Sequence, residues 1–331
     1  MIEAVKYQPR LSTLINTLCD IAHGTSELVG LQARSKTNLV KKAIQTHDNA
    51  VLYDWFMKTF SYQGLSDRSV NGYISQHGNA TFEEVGRSLS QASCDKLRGF
   101  WSFNGCGYQK LTRYCSCQPE IHRCPLPDLP LRNGRLNQLA FSLYFFIRDV
   151  AGGDLVQYLD KAVSEVADAP SSRSIHKALV APWRSVYGIS DKVIAMALTT
   201  LLMSAPPKKS NWLRAGRQLI VVDSLVHNFL HRTGALSTVG AMHPYGAKCY
   251  APGGCFDVID VLANAVDARR FNTEFPSHFP RFVQLAIWRF CAQGIFNICN
   301  GNQIDDRKRC SERDCFLRET CGRRVLGRKS L

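Results

Sequence analysis

The sequence predicts a mostly α fold. Three observations carry this. Apolar residues recur at three and four positions along most of the chain. Strand-like alternation is sparse. Hydrophobic residues make up 45% of 331, a globular composition.

Leu11 to Leu31 reads as amphipathic, and a basic patch follows around Lys36, Lys41 and Lys42. Leu52, Trp55, Phe56 and Phe60 continue the helical period from Ala50 to about Leu111, punctuated by Gly64, Gly72 and Gly78. Residues 106–130 are rich in Cys and Pro and should be irregular. Helices are expected at Asn137 to Val150, Leu155 to Val166 and Val193 to Met203. Pro206-Pro207-Lys208-Lys209 forces a loop. A helix around Leu225 to His231 should stop at Gly234, since glycine follows a helix end without strain. Residues 237–255 are loop-like, and helical pattern returns at Phe256 to Val266 and Phe279 to Phe296. The expected divisions are an N-terminal extension (1–49), a first helical part with a Cys-rich insertion (50–135), a central helical region (136–290) and a Cys-bearing loop with a basic tail (291–331).

The net charge is +14, from 41 basic against 27 acidic residues. Such an excess favours a polyanion, because each cation placed on a phosphate releases condensed counterions. The longest apolar stretch, Leu139 to Ile147, is interrupted by Ser142 and followed by Arg148 and Asp149, too short for a bilayer span. The first residues lack a secretory pattern. A cytoplasmic protein is expected, nucleoid-associated if prokaryotic, with no membrane partner.

In a reducing compartment thirteen cysteines point to metal before disulfides. Cys299, Cys310, Cys315 and Cys321 are separated by ten, four and five residues, and thiolates so grouped can close round iron–sulfur or zinc. Nine basic residues against three acidic ones between Arg307 and Lys329 would stabilise thiolates and meet phosphates. Cys106, Cys115, Cys117 and Cys124, with His122 nearby, form a second group whose gaps of eight, one and six match no common finger. It reads as a second metal site, zinc or iron–sulfur, or as free thiols in a loop. His227 and His231 sit four apart with no third ligand evident and read as a packed or surface pair. Cys249 and Cys255 flank a Pro-Gly-Gly turn and read as a loop clamp or as nothing. Gly240 to Lys248 lacks the Gly-Lys-Ser/Thr ending of a phosphate loop.

Val186 to Ala195 reads as a tight turn opening a helix, whose free N–H groups form a phosphate site. Lys192, in its first turn, can act as an amine nucleophile if burial or a neighbouring cation lowers its pKa. Thirty-one positions on, Asp223 ends an apolar run at an expected helix N-cap.

Gly188-Ile189-Ser190-Asp191-Lys192 resembles the helix-hairpin-helix turn of the endonuclease III superfamily of DNA glycosylases, and Val222-Asp223-Ser224 resembles its catalytic Val-Asp-Thr/Ser segment. Cys299 to Cys321, after Trp288 and Gly294, stands where that family carries its four-iron cluster. Gln63-Gly64-Leu65-Ser66 is similar to the segment that approaches the gap left by a flipped base. Gly99-Phe100 to Lys110 is weakly similar to the end of the first lobe. The resemblance runs from about residue 50 to 321 in the family's order. Four departures mark a divergent branch. Ser190 replaces the second hairpin glycine, and Leu225 stands where many relatives have His. Lys192 and Asp223 are about a dozen residues further apart, and the cysteine gaps replace six, two and five.

The resemblance implies a two-lobed helical glycosylase fold with a C-terminal four-iron four-sulfur cluster on Cys299, Cys310, Cys315 and Cys321. It implies a base-excision DNA-repair hydrolase, a monomer acting on double-stranded DNA. Gly188, Ile189 and Ser190 would hold the backbone, and Gln63 would fill the gap of an extruded base. Lys192 would attack the sugar C1′ and form a Schiff base that permits AP-lyase cleavage, with Asp223 stabilising positive charge on the sugar. The alternatives are a monofunctional enzyme in which Asp223 activates water, and a non-catalytic iron–sulfur DNA-binding protein.

Overall fold

The computed structural model describes residues 8–23, 38–61, 67–90, 93–120, 123–127, 129, 136–166 and 171–326. Among these the protein is mostly helical, with one isolated antiparallel bridge, Tyr108 to Cys115, and no strand. In chain order the principal helices are α1 (Pro9–His23), α2 (Asn38–Thr46), α3 (Asn49–Ser61), α4 (Asp67–His77), α5 (Phe82–Leu89), α6 (Asn137–Phe145) and α7 (Leu155–Ser164). They continue as α8 (Ser172–Leu179), α9 (Asp191–Met203), α10 (Ser210–Gln218), α11 (Ser224–Thr233), α12 (Cys255–Leu262) and α13 (Pro280–Cys291). No helix among the described residues is long and apolar enough to cross a membrane.

The expected helices form with adjusted ends. α6 runs into a π turn at Phe146–Val150, and α12 into a 3-10 turn at Ala263–Ala265. α13 closes at Cys291 because Ala292 turns to extended backbone, ψ 130°. α1 is described only to His23, and the remainder of the expected Leu11 to Leu31 segment lies outside the described residues. The sequence reading did not anticipate α8 and α10, which are short and rich in Ser and Arg. Cys106 to Glu120 is coil and turn, as its composition suggested.

The chain forms two compact units. One comprises 35–169 and 177–212. Its core stacks Trp183 against Phe146 and Phe56 at ring distances of 4.4 and 4.9 Å, and the Tyr53 hydroxyl donates to the Ala140 carbonyl at 3.0 Å. Beyond the Pro206-Pro207 loop, Lys209 Nζ and Trp212 Nε1 both donate to Asp160 Oδ1 at 2.7 Å, which ties that loop to α7.

The other unit comprises 1–34, 170–176 and 213–331. Here α13 packs against α1 and α11. α1 buries Leu11, Leu14, Ile15, Leu18 and Ala22, one face of a 3.6-residue period. Its last residue, His23, stacks on Phe282 at 3.9 Å and bonds the Phe282 carbonyl.

Candidate metal centres and catalytic residues

In the first unit Gly188 has φ +75°, a left-handed conformation that glycine adopts without strain. Ser190 follows as the N-cap of α9 in extended backbone, φ −103° and ψ 162°, so the missing second hairpin glycine costs no strain. Its carbonyl accepts from Val193 and Ile194 N–H at 2.9 and 3.0 Å. Arg184 grips Asp191 with two bonds of 2.9 and 2.6 Å, which fixes the entry to the helix. Ile189 and Lys192 are half-buried beside it. Gln63 lies outside the described residues.

In the second unit Asp223 is the N-cap of α11, and its Oδ1 accepts from Val226 N–H at 2.9 Å. The apolar run before it, Leu219 to Val222, is buried. The helix stops at Gly234, φ +88°, where the sequence placed its end. Beside the N-terminal turn is a polar recess of about 380 Å³ lined by Ser224, Leu225, Asn228, Tyr245, Asn300 and Asn302. Burial, with the Asp223 charge added, pushes the Tyr245 phenol up.

Phe229, Arg232 and Thr233 at the other end of α11 line a cavity together with all four C-terminal cysteines. Cys299 and Cys310 are buried, Cys315 and Cys321 half-buried. The loop is zipped to the end of α11: Gly322 N–H donates to Thr233 O and Arg324 N–H to Arg232 O, both at 2.8 Å. A Cβ on Gly322 would stand 2.7 Å from the Thr233 carbonyl oxygen, so only glycine permits that approach. Arg323 N–H donates to Cys321 Sγ at 3.4 Å. Arg232 is 1% exposed and paired with Asp306, yet its Nε and Nη1 lack hydrogen-bond partners. A hydrogen bond from Cys291, with the Arg232 guanidinium adding to it, lowers the Cys299 thiol pKa. Four thiols, a largely apolar wall and a buried guanidinium beside Cys299 can accommodate an anionic thiolate-bound group.

The middle cysteines are only partly drawn together. Cys115 and Cys124 are buried and hydrogen-bonded thiol to thiol, and burial pushes Cys124 up to about 11. Burial raises Cys106 as well, with the nearby Cys94 and Cys115 adding to it. Cys117 is exposed and donates to the Gly105 carbonyl at 3.4 Å. His122 lies outside the described residues.

A further group joins residues that the sequence reading took separately, together with His243, which it did not single out. His227, His243, Cys249 and Cys255 bring one ligand atom each to within 4.8 Å of one another and could hold a metal ion. His227 Nδ1 is 3.3 Å from Cys255 Sγ and 3.5 Å from Cys249 Sγ, and His243 Nε2 is 3.3 Å from Cys255 Sγ. The partner of His227 is therefore His243, from the loop, and His231 serves as a neighbour whose ring centroid is 6.1 Å away. Cys249 and Cys255 are ligand candidates in place of a loop clamp. A hydrogen bond from Cys255, joined by those from both imidazoles, holds Cys249 well below the usual thiol range. Burial and that same bond raise Cys255.

No family model matches the chain, and no curated protein or solved structure matches it significantly.

Proposed function

We propose that this protein is a DNA base-excision glycosylase of the endonuclease III type, two-lobed and carrying a four-iron four-sulfur cluster, with AP-lyase activity through Lys192. The observation that carries the reading is α11. A single ten-residue helix bears Asp223 at its N-cap and three of the residues that line the cavity of Cys299, Cys310, Cys315 and Cys321 at its other end. The left-handed Gly188 and the extended, exposed Ser190 at the N-cap of α9 support a phosphate-binding hairpin, and the charge of +14 supports a double-stranded DNA partner.

In this reading a damaged, mismatched or modified base is extruded, because its glycosidic bond is inaccessible within the stack. The Lys192 amine, once deprotonated, attacks the sugar C1′ as the C1′–N bond breaks, and the base leaves with the bonding pair and takes up a proton. Asp223 opposes the positive charge that builds on the sugar. The nitrogen then loses a proton and the sugar ring opens, O4′ leaving C1′ with the bonding pair and taking up a proton, which gives an iminium at Lys192. This acidifies the C2′ hydrogen, whose loss as a proton expels the 3′ phosphate by β-elimination. The four thiolates would hold the cluster, whose part is to order the loop and its basic residues.

Borohydride trapping on a duplex with an abasic site tests this. Reduction of the iminium should leave a covalent protein–DNA adduct, lost in Lys192→Ala. An absent adduct with wild type that binds the duplex would overturn the lyase step. Base release from a parallel lesion-bearing duplex, without the adduct, would assign a water-using enzyme dependent on Asp223. Neither adduct nor release would leave a DNA-binding protein.

A further inference from the structure

We propose that His227, His243, Cys249 and Cys255 form a closed structural zinc site, which clamps the loop between α11 and α12 against the backbone next to Asp223.

The geometry suits one tetrahedral ion. Bonds of about 2.3 Å to sulfur and about 2.0 Å to nitrogen place the ligand atoms of a tetrahedron roughly 3.3–3.8 Å apart. The nitrogen–sulfur separations here are 3.3, 3.5 and 3.3 Å. Two thiolates with two imidazoles match zinc in softness and number, and four protein ligands leave no open position for catalysis. An iron–sulfur cube needs wider spacing than 4.8 Å allows.

The surroundings are built for it. His243 Nδ1 is 2.6 Å from the Ala241 carbonyl, so Nδ1–H donates there and the Nε2 lone pair faces the sulfurs. Cys255 is the first residue of α12 and is buried, so the helix fixes where its thiol stands. The loop conformation is demanding: Gly246 and Gly253 have φ +137° and +78°, and a Cβ on Gly254 would stand 2.2 Å from the Lys248 carbonyl oxygen. A hairpin this contorted, which supplies two ligands and is itself held by a third on α11, is a preformed cage.

The clamp sets two tyrosines. Tyr250, next to ligand Cys249, accepts the Val222 N–H at 2.9 Å, one residue before Asp223. Tyr245 lies 5.7 Å from the His227 ring and walls the polar recess at the start of α11. The ion is thus a positioning element, and its presence is independent of the reaction at Lys192.

Elemental analysis of the full chain, purified with zinc and iron both supplied, tests the site. We expect one zinc per chain alongside any iron, lost in Cys249→Ser/Cys255→Ser while iron is unchanged, and kept in Cys106→Ser/Cys115→Ser/Cys124→Ser. Zinc missing from wild type, or retained by the Cys249/Cys255 variant, overturns the proposal. Should that variant not fold, His243→Asn, at a half-exposed position, gives the answer by competition with a chromophoric chelator. Zinc affinity at least tenfold weaker is expected, and unchanged affinity overturns it. Cobalt substitution should give intense thiolate charge-transfer bands with a tetrahedral spectrum; a pale octahedral spectrum overturns the ligand set. Trypsin should cut at the exposed Lys248 several-fold faster after zinc is stripped, and an unchanged rate overturns the clamp.

Discussion

The backbone amide of Val222 donates to the hydroxyl of Tyr250 at 2.9 Å. One bond therefore joins the residue before Asp223 to the residue after Cys249. The backbone that presents the candidate catalytic carboxylate is held from outside its own helix.

Removing that acceptor should be felt in stability. Tyr250→Phe leaves the buried Val222 N–H unsatisfied, which costs about 1–3 kcal/mol. Thermal unfolding should show a drop of that size. An unchanged midpoint would mean that water or a shifted backbone replaces the hydroxyl.

Asp223 has two roles to separate. Asn caps a helix as well as Asp does, whereas Ala costs about 1 kcal/mol. Asp223→Asn should keep wild-type stability and lose base release, and Asp223→Ala should lose both. Asp223→Asn with full base release would reduce Asp223 to a cap. Both variants should be assayed on one lesion-bearing duplex beside unfolding curves.

The Arg232–Asp306 pair separates packing from cluster binding. Arg232→Met strands a carboxylate that is itself mostly buried, at a cost of roughly 3–5 kcal/mol. Arg232→Met/Asp306→Leu should recover most of that stability. Neither variant should hold iron as wild type does, because both lack the cation that faces the thiols. Iron content and visible absorption beside unfolding midpoints distinguish the two effects, and full iron in the double variant would remove Arg232 from cluster binding.

His23 should make stability depend on pH. Burial between α1 and Phe282 lowers its pKa from the ordinary 6.5 to about 4. The unfolded chain takes the proton near 6.5 and the folded one resists it, so the folded state is favoured fully above 6.5. Stability should fall as pH drops from 6.5 to about 4, by up to roughly 3 kcal/mol, and level off below. His23→Phe should flatten that stretch of the curve. A slope left unchanged by the substitution would assign it to other groups.

Much of the fold was legible along the chain because a helix is specified locally. The 3.6-residue spacing of Leu11, Leu14, Ile15 and Leu18 marks a buried face whatever it packs against, and Gly234 ends α11 because left-handed backbone suits glycine there. α8 and α10 escaped notice because their anchors are distant polar side chains: Ser172 Oγ lies 2.6 Å from Asp260 Oδ1, and Trp212 reaches Asp160. Those bonds depend on chain segments 88 and 52 residues away, which no local period encodes.

The same distinction divides the metal centres. Cys299, Cys310, Cys315 and Cys321 lie close in sequence, so their number and softness already identify a candidate site, and folding adds the buried Arg232 from α11. His227, His243, Cys249 and Cys255 match no local spacing, since one ligand comes from mid-helix, two from a loop and one from a helix start. The sequence by itself determined the helical class, the charge and the C-terminal thiol group, because each follows from residues that are neighbours or from sums over the chain. Only the tertiary structure decided that His227 faces His243 and two cysteines in place of His231, because metal ligands must converge within a few ångströms and convergence is a property of packing.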